Sequence, residues 1–202
     1  MQHAIDPTQL FEQLISGVLS CQYGTTREFI TPELCAALRE RLLENYEQGW
    51  MKPAGVGKNE AYEHDKQVRG DVIYWLEKSH NAAEKAFLEH IEAFIDYLNQ
   101  TCYTGINAYE FHYARYDTGR FYKRHKDQFR NDSGRKFSLI VYLNSAWGAA
   151  DAGQLALYPD NQLVEIMPEG GRTVFFRADE VEHEVKPANQ PRLSIAGWLK
   201  RV

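Results

Sequence analysis

Along the first hundred positions, apolar residues recur at helical spacing. In "TPELCAALRERLLENYEQG", Leu34, Leu38 and Leu42 fall every four residues and form one stripe, the pattern of a helix with one buried face. Thr31 suits the N-cap and Pro32 the first helical position, and Gly49 ends the run. "NAAEKAFLEHIEAFIDYLNQ" follows the same logic, with Asn81 at its start and Phe87, Ile91, Phe94, Ile95 and Leu98 on one face. A shorter amphipathic segment spans residues 7–20. Between the long helices lies "KPAGVGKNEAYEHDKQVRGD", which mixes glycine, proline and charges without any period and reads as a long loop. "VIYWL" follows as a short strand.

From about residue 106 the period changes to two. "NAYEFHYARY", "KFSLIVYLN", "GQLALYP", "LVEIMP", "GRTVFFRA", "VEHEVKP" and "RLSIAGWL" are short alternating runs broken by Gly, Pro, Asp or Asn. Strands at this spacing predict a sandwich or barrel of the jelly-roll type. The expected fold is α+β in one domain over 1–202: helical support and a candidate lid loop (52–70) within 1–105, then a jelly-roll core over 106–202.

A chain of 202 residues buries roughly 70% of its unfolded surface and needs no disulfide or structural metal to fold. The formal charge of −5 argues against general nucleic-acid or membrane binding. Cys21, Cys35 and Cys102 are scattered and odd in number, as expected of small buried residues in a reducing compartment. The N-terminus carries Asp6 and Glu12 in place of a basic start, a poor match to a signal peptide. No apolar run approaches a membrane span. The expected compartment is the cytoplasm.

The candidate chemistry begins in "FYKRHKDQFR". If the backbone there is extended, His125 and Asp127 leave the same face of a strand. An imidazole and a carboxylate aimed at one point are part of a metal site, although a His-x-Asp pair alone is most often a solvated surface pair. His183 is the sole histidine downstream of that pair and can serve as a third ligand. Alternation then sets Arg192, Ser194, Ala196 and Trp198 on one face of the last strand, and Ser138, Ile140 and Tyr142 on one face of an earlier one. A guanidinium inside a barrel is costly without an anion, and no carboxylate on the same face supplies it. A bound dicarboxylate would, through a fork-like contact. Mixed N and O ligands with open positions favour Fe(II) in an oxygenase.

His125-x-Asp127, His183 and Arg192 together resemble the Fe(II)- and 2-oxoglutarate-dependent dioxygenases on the double-stranded β-helix fold. The likeness is nearer to the prolyl 4-hydroxylase branch that includes the hypoxia-inducible-factor prolyl hydroxylases and their bacterial relatives. "RGDVIYWL", "YARYDTGRFYKRHKD", "VYLN" and "VEHEVKPANQPRLSIAGW" carry it, covering roughly residues 65–200. The resemblance implies that His125, Asp127 and His183 bind iron and that Arg192 grips the distal carboxylate of 2-oxoglutarate. Tyr142 would hydrogen-bond the same carboxylate, and Tyr116 and Ser194 would border the cosubstrate. Asp71 and Arg135 resemble the pair that tethers the lid to the barrel, and Trp75 and Trp198 would line the site. Two departures stand out: Ala196 replaces a hydroxyl found in several relatives, and His112 replaces an apolar residue.

The implied reaction couples oxidative decarboxylation of 2-oxoglutarate, to succinate and CO₂, with hydroxylation by O₂; ascorbate is a candidate reductant. The implied partner is an intracellular protein bearing a target proline, with nucleic acid and membrane disfavoured and the oligomeric state open. Two rivals remain: the same chemistry on a free amino acid, another small molecule or a nucleobase, and a non-catalytic jelly-roll module holding zinc, which would leave Arg192 and Tyr142 without a role. The cations from Arg115 to Lys136 read first as a solvated rim. His64, His80 and His90 read as surface or partly satisfied histidines, and His3 lies in a fraying terminus.

Overall fold

The computed structural model describes residues 6–55, 68–128 and 134–202. Three helices carry the N-terminal half: α1 (Pro7–Cys21), α2 (Pro32–Glu47) and α3 (Ala82–Cys102). Each starts where its sequence supplies a side-chain acceptor for an unpaired helical N–H. Asp6 accepts from the Thr8 amide, Thr31 from Leu34 and Asn81 from Glu84. Gly49, at φ +69°, turns the chain out of α2 in a conformation that suits glycine.

The strands form two antiparallel sheets. The larger contains β1 (Tyr23–Thr26), β2 (Lys52–Pro53), β3 (Asp71–Trp75), β4 (Ala108–Tyr116), β6 (Arg135–Tyr142), β9 (Thr173–Arg177) and β11 (Arg192–Lys200), in the order β1-β9-β6-β11-β4-β3-β2. The smaller contains β5 (Tyr122–His125), β7 (Leu155–Tyr158), β8 (Val164–Ile166) and β10 (Glu182–Val185), in the order β5-β10-β7-β8. All seven alternating runs contain strands. Of the other four, β3 is the expected VIYWL strand, whereas β1, β2 and β5 lie outside every expected strand.

Alternation along the central strands divides the interior into two cores. Leu193, Ile195 and Leu199 of β11, with Leu139 and Val141 of β6 and Phe111 and Tyr113 of β4, pack against Phe11 and Leu14 of α1, Leu38 and Leu42 of α2, and Phe87, Ile91 and Phe94 of α3. The opposite faces, with Ala114, Tyr116, Ile140, Tyr142 and Phe176, meet Leu155 and Leu157 of β7 and Val185 of β10. Burying each such side chain contributes about 1.5–3 kcal/mol. The strands that bury apolar groups against the helices on one face thus present the polar groups of β11 on the other, to the space between the sheets.

Gly24 explains why β1 is hard to anticipate. A Cβ there would lie 2.1 Å from the Leu14 carbonyl oxygen, so the strand "YGTT" gives up a side chain to let α1 lie against it. Most of the candidate lid, 56–67, is outside the described residues. Its described ends are strand-paired: Lys52 and Pro53 pair with β3, while Arg69 bridges to Tyr122. The Gly70 amide donates to the Phe121 carbonyl and the Lys123 amide to that of Val68, so 68–70 runs along the edge of β5 before entering β3. Cys21 and Cys102 are exposed at the C-terminal ends of α1 and α3, not buried as expected, and Cys35 is half-buried; all three are free thiols.

Candidate active site

The space between the sheets holds a narrow pocket whose lining includes His112, Tyr116, Tyr122, His125, Asp127, Ser138, His183, Arg192, Ser194 and Trp198. His183 lies mid-strand in β10, opposite Leu157 on one side and His125 on the other. The register there is irregular: His183 faces His125, yet Val185 faces Tyr122. One residue of β10 between the pairs is matched by both Lys123 and Arg124, which makes a β-bulge. The extra residue lets Tyr122 and His125 both point inward, with ring centroids 3.6 Å apart in a stack.

This corrects the expected origin of the His125–Asp127 pair. The two do not share a face of one strand, because β5 ends at His125 and Asp127 sits in the bend beyond it. They converge nonetheless. The His125 and His183 Nε2 atoms each lie 3.5 Å from an Asp127 carboxylate oxygen, Oδ1 and Oδ2 respectively. His125 Nδ1 is 2.7 Å from the Lys123 carbonyl oxygen, which leaves Nε2 for the shared point. One donor atom from each of the three residues falls within 4.8 Å of the others.

The electrostatics suit a cation. Burial dominates at His183 and pushes its imidazole down to about 4 despite Asp127 alongside, so it is neutral with a free lone pair at pH 7. Burial also raises Asp127, but the His183 and His125 rings and the Ser138 hydroxyl outweigh it and hold the carboxyl well below its usual range. Two imidazoles and one carboxylate are the donor set of the facial triad found in non-haem Fe(II) oxygenases. The residues fit Fe(II).

Arg192 is 1% exposed. Its Nε donates to the Gly153 carbonyl at 3.0 Å and its Nη2 to the Tyr142 hydroxyl at 3.2 Å. Its guanidinium carbon also lies 4.8 Å from the centre of the Tyr142 ring and 5.4 Å from that of Tyr116. Among the described residues it has no carboxylate partner. Burial raises both phenols, Tyr116 well above its ordinary value, so both keep their protons. Ser194 is buried in the same lining, paired in register with Tyr142 and Ala114.

Other expected residues are arranged differently. Asp71 and Arg135 do not pair. Asp71 accepts two hydrogen bonds from Arg69, at 2.6 and 2.8 Å, because a two-residue spacing along an extended chain brings both side chains to one side. Arg135 donates to Glu110 at 2.8 Å and lies 3.4 Å over the Trp198 ring. Trp75 is nearly half exposed and is not in the lining; it packs edge-on against His112 with centroids 5.0 Å apart. Its position at the end of β3 carries it past the pocket.

His112 is buried between Trp75 and Trp198, and its Nδ1 has no hydrogen-bond partner. Burial pushes its imidazole down to about 3, with Arg69 and Arg135 adding to the effect and Asp71 and Asp127 opposing it.

Three site residues have no role in the sequence reading: Tyr122, which stacks on His125; Arg69, which pairs with Asp71 and lies 4.7 Å over the Tyr122 ring; and Ser138, which hydrogen-bonds Asp127. Tyr122 carries the one available signal, an aromatic in a run of cations. The rim reading of that run is apt where ion pairs form: Arg115 pairs with Asp117 and stacks on Tyr46, and Arg124 pairs with Glu182 and stacks on Tyr158. Arg130 lies outside the described residues, as do His3 and His64. His80 pairs with Glu84, whereas His90 is packed among Phe11 and Phe29.

Residues 111–200, which hold the triad and Arg192, match the model of the 2OG-Fe(II) oxygenase superfamily. The chain belongs to that superfamily, whose members use Fe(II), 2-oxoglutarate and O₂. Within it, the chain is similar to prolyl hydroxylases. A crystal structure of a Pseudomonas putida prolyl-4-hydroxylase is 31% identical, with a TM-score of 0.88 over 95% of this chain and 100% of that one. A Trichoplax adhaerens prolyl hydroxylase, solved with a peptide fragment of the hypoxia inducible factor oxygen degradation domain, is 25% identical, with a TM-score of 0.86 over 96% of this chain and 90% of that one. Egl nine homolog 1 of Homo sapiens is 32% identical over 66% of this chain. The chain spans only about a third of that curated relative, 33% of its length. Among the described residues, no helix is long and apolar enough to cross a membrane.

Proposed function

We propose that this chain is an Fe(II)- and 2-oxoglutarate-dependent prolyl 4-hydroxylase acting on a proline within a protein. The observation that carries the reading is a buried guanidinium with no carboxylate partner among the described residues, in the same pocket as two imidazoles and a carboxylate that share one point. Its fold would be a double-stranded β-helix carried on the N-terminal helices, in one domain over 1–202.

Charge counting supports the cosubstrate. A divalent ion beside Asp127 leaves one net positive charge, Arg192 adds a second, and the Arg69–Asp71 pair adds none. A dicarboxylate such as 2-oxoglutarate neutralises that sum, which a monoanion would leave uncompensated in a buried space at a cost of several kcal/mol.

Iron with 2-oxoglutarate and O₂, when bound, supplies the oxidising chemistry, in which 2-oxoglutarate becomes succinate and CO₂ while one oxygen atom enters a substrate C–H bond. The chain's own residues hold and orient. His125 and His183 offer Nε2 donors, and Asp127 supplies the anion. Arg192 forks onto the distal carboxylate, and Tyr142, already accepting from Arg192, has its own proton to give the same group. Tyr116 and Ser194 border the cosubstrate, while Ile140, Leu155 and Val185 keep water from the reacting centre. Trp198, His112 and Tyr122 flank the place for the prolyl ring. Arg69 and Asp71, joined to each other and to Tyr122, secure the chain entering β3, the role first expected of Asp71 with Arg135. Residues 52–70 would serve as the lid. The three free thiols suit a reducing, cytoplasmic setting.

The test is oxygen-dependent conversion of 2-oxoglutarate to succinate by the iron-loaded protein, followed by mass spectrometry of a proteome treated with active or inactive enzyme. Hydroxyproline gained only with active enzyme is expected. Turnover with oxygen entering some other residue or a small molecule would transfer the substrate assignment to the rival oxygenase, and zinc retention without turnover would favour the binding module.

A further inference from the structure

Asp127 occupies an exposed-looking stretch of sequence but must hold a fixed direction. β5 ends at His125, and Asp127 sits in the bend that follows. What fixes it comes largely from β6. Arg135 Nη1 donates to the Asp127 carbonyl at 3.3 Å, and the Gln128 side-chain amide donates to the Arg135 carbonyl at 2.9 Å. The Gln128 backbone amide donates to the Ala178 carbonyl at 3.1 Å. These contacts place the backbone but leave the carboxylate free to rotate.

Ser138 removes that freedom. It is 1% exposed and lies between Trp198 and Phe176 in register, on the face of β6 that also carries Ile140 and Tyr142. Its hydroxyl donates to Asp127 Oδ2 at 2.7 Å. The other oxygen, Oδ1, faces His125 Nε2, and Oδ2 also lies 3.5 Å from His183 Nε2.

We propose that Ser138 is a positioning residue whose hydroxyl holds Oδ2, fixes the rotation of the Asp127 carboxylate and so favours metal binding through a single oxygen. The inference rests on the metal site of the preceding section, but not on its substrate. A carboxylate free to turn can bind a metal ion through both oxygens and would then claim one of the positions that a two-point chelate and a further small ligand require. A hydroxyl clamped to one oxygen disfavours this while stabilising the charge on the carboxylate. Partners of this kind typically change metal affinity 10–100-fold.

The experiment compares the wild-type protein with Ser138→Ala, which deletes the hydroxyl, and Ser138→Thr, which keeps it on a side chain suited to a strand. Near-UV circular dichroism and urea midpoints establish that each variant is folded. Mn(II) binding is read from the electron paramagnetic resonance of the free ion, and the anaerobic Fe(II)–2-oxoglutarate charge-transfer absorption is recorded for each. Ser138→Ala should raise the Mn(II) dissociation constant about 10–100-fold and shift or weaken the absorption, with Ser138→Thr within a few-fold of wild type. Wild-type Mn(II) affinity and an unchanged absorption in Ser138→Ala would overturn the inference, as would an equal loss in a well-folded Ser138→Thr. A wild type unable to bind Mn(II) would overturn the metal site and this inference together. Failure to find hydroxyproline would count against the prolyl substrate alone.

Discussion

Replacing His112 by methionine should make the protein less sensitive to acid. The imidazole lies between two tryptophan rings with Nδ1 unpaired, and its proton affinity falls from an ordinary 6.5 to about 3 in the fold. The unfolded chain therefore binds a proton at this residue below about pH 6.5, whereas the fold refuses it until about pH 3. A group whose folded value is depressed lowers stability as pH falls through that window. At pH 5 the unfolded state gains a factor of roughly 30 in weight from this site, or about 2 kcal/mol at an RT of about 0.6 kcal/mol. The native state stays neutral there and gains nothing.

Methionine fills a similar volume without a titrating atom or an unmet hydrogen bond, so His112→Met should be as stable as wild type or slightly more so at pH 8. The assay is urea unfolding of both metal-free proteins at pH 8 and pH 5. The quantity of interest is the change in their stability difference, in which the other titrating groups cancel. The variant should draw ahead by about 2 kcal/mol on moving to pH 5. A stability difference that stays the same at the two pH values would refute the reasoning, and with it the neutral, sealed environment assigned to His112.

Further expectations concern the site and its support. Asp127→Ala or His183→Ala should abolish turnover and weaken metal binding; ordinary 2-oxoglutarate decarboxylation in either variant would contradict the ligand set. Arg192→Ala should chiefly raise the half-saturating 2-oxoglutarate concentration, by a hundredfold or more if a charge-assisted pair worth about 3 kcal/mol is lost; an unchanged value would take Arg192 out of that role. Gly197→Ala would put a Cβ 2.2 Å from a Phe111 ring carbon and 2.4 Å from the Glu110 carbonyl oxygen. The central pair β4–β11 would have to separate to accept it, at about 1–3 kcal/mol or more of stability. A variant with the wild-type urea midpoint would show that this pair is more compliant than the contacts imply.

The residues legible in the sequence are those whose neighbours keep a regular period. Arg192, Ser194, Ala196 and Trp198 alternate without interruption, so their shared face and its polar character could be read directly, as could the helix starts at Thr31 and Asn81. His125 and Asp127 could be paired by spacing, but the reason for their convergence could not. A bulge and a bend bring them together, and neither has a hydrophobic signature. β1 was hidden by a different cause: it pairs at the sheet edge through four residues, YGTT, chosen for closeness to a helix rather than for apolar content. The partners of Asp71 and Arg135 were out of reach because several carboxylates and guanidinium groups compete there. Distance in the fold decides between Arg69 and Arg135, and between Asp71 and Glu110, and composition carries no such distances.

The extra residue opposite Glu184 makes the count between Tyr122 and His125 as important as the identities at either end. Losing one codon from Lys123 or Arg124 would restore regular pairing and leave both rings facing inward, but at the roughly 7 Å spacing of a regular strand. The stack of Tyr122 on His125 and the Lys123 carbonyl contact that orients the imidazole would then be lost. The length of this strand is therefore constrained along with Tyr122 and His125. A descendant with the shorter strand would keep the architecture but hold that imidazole less firmly.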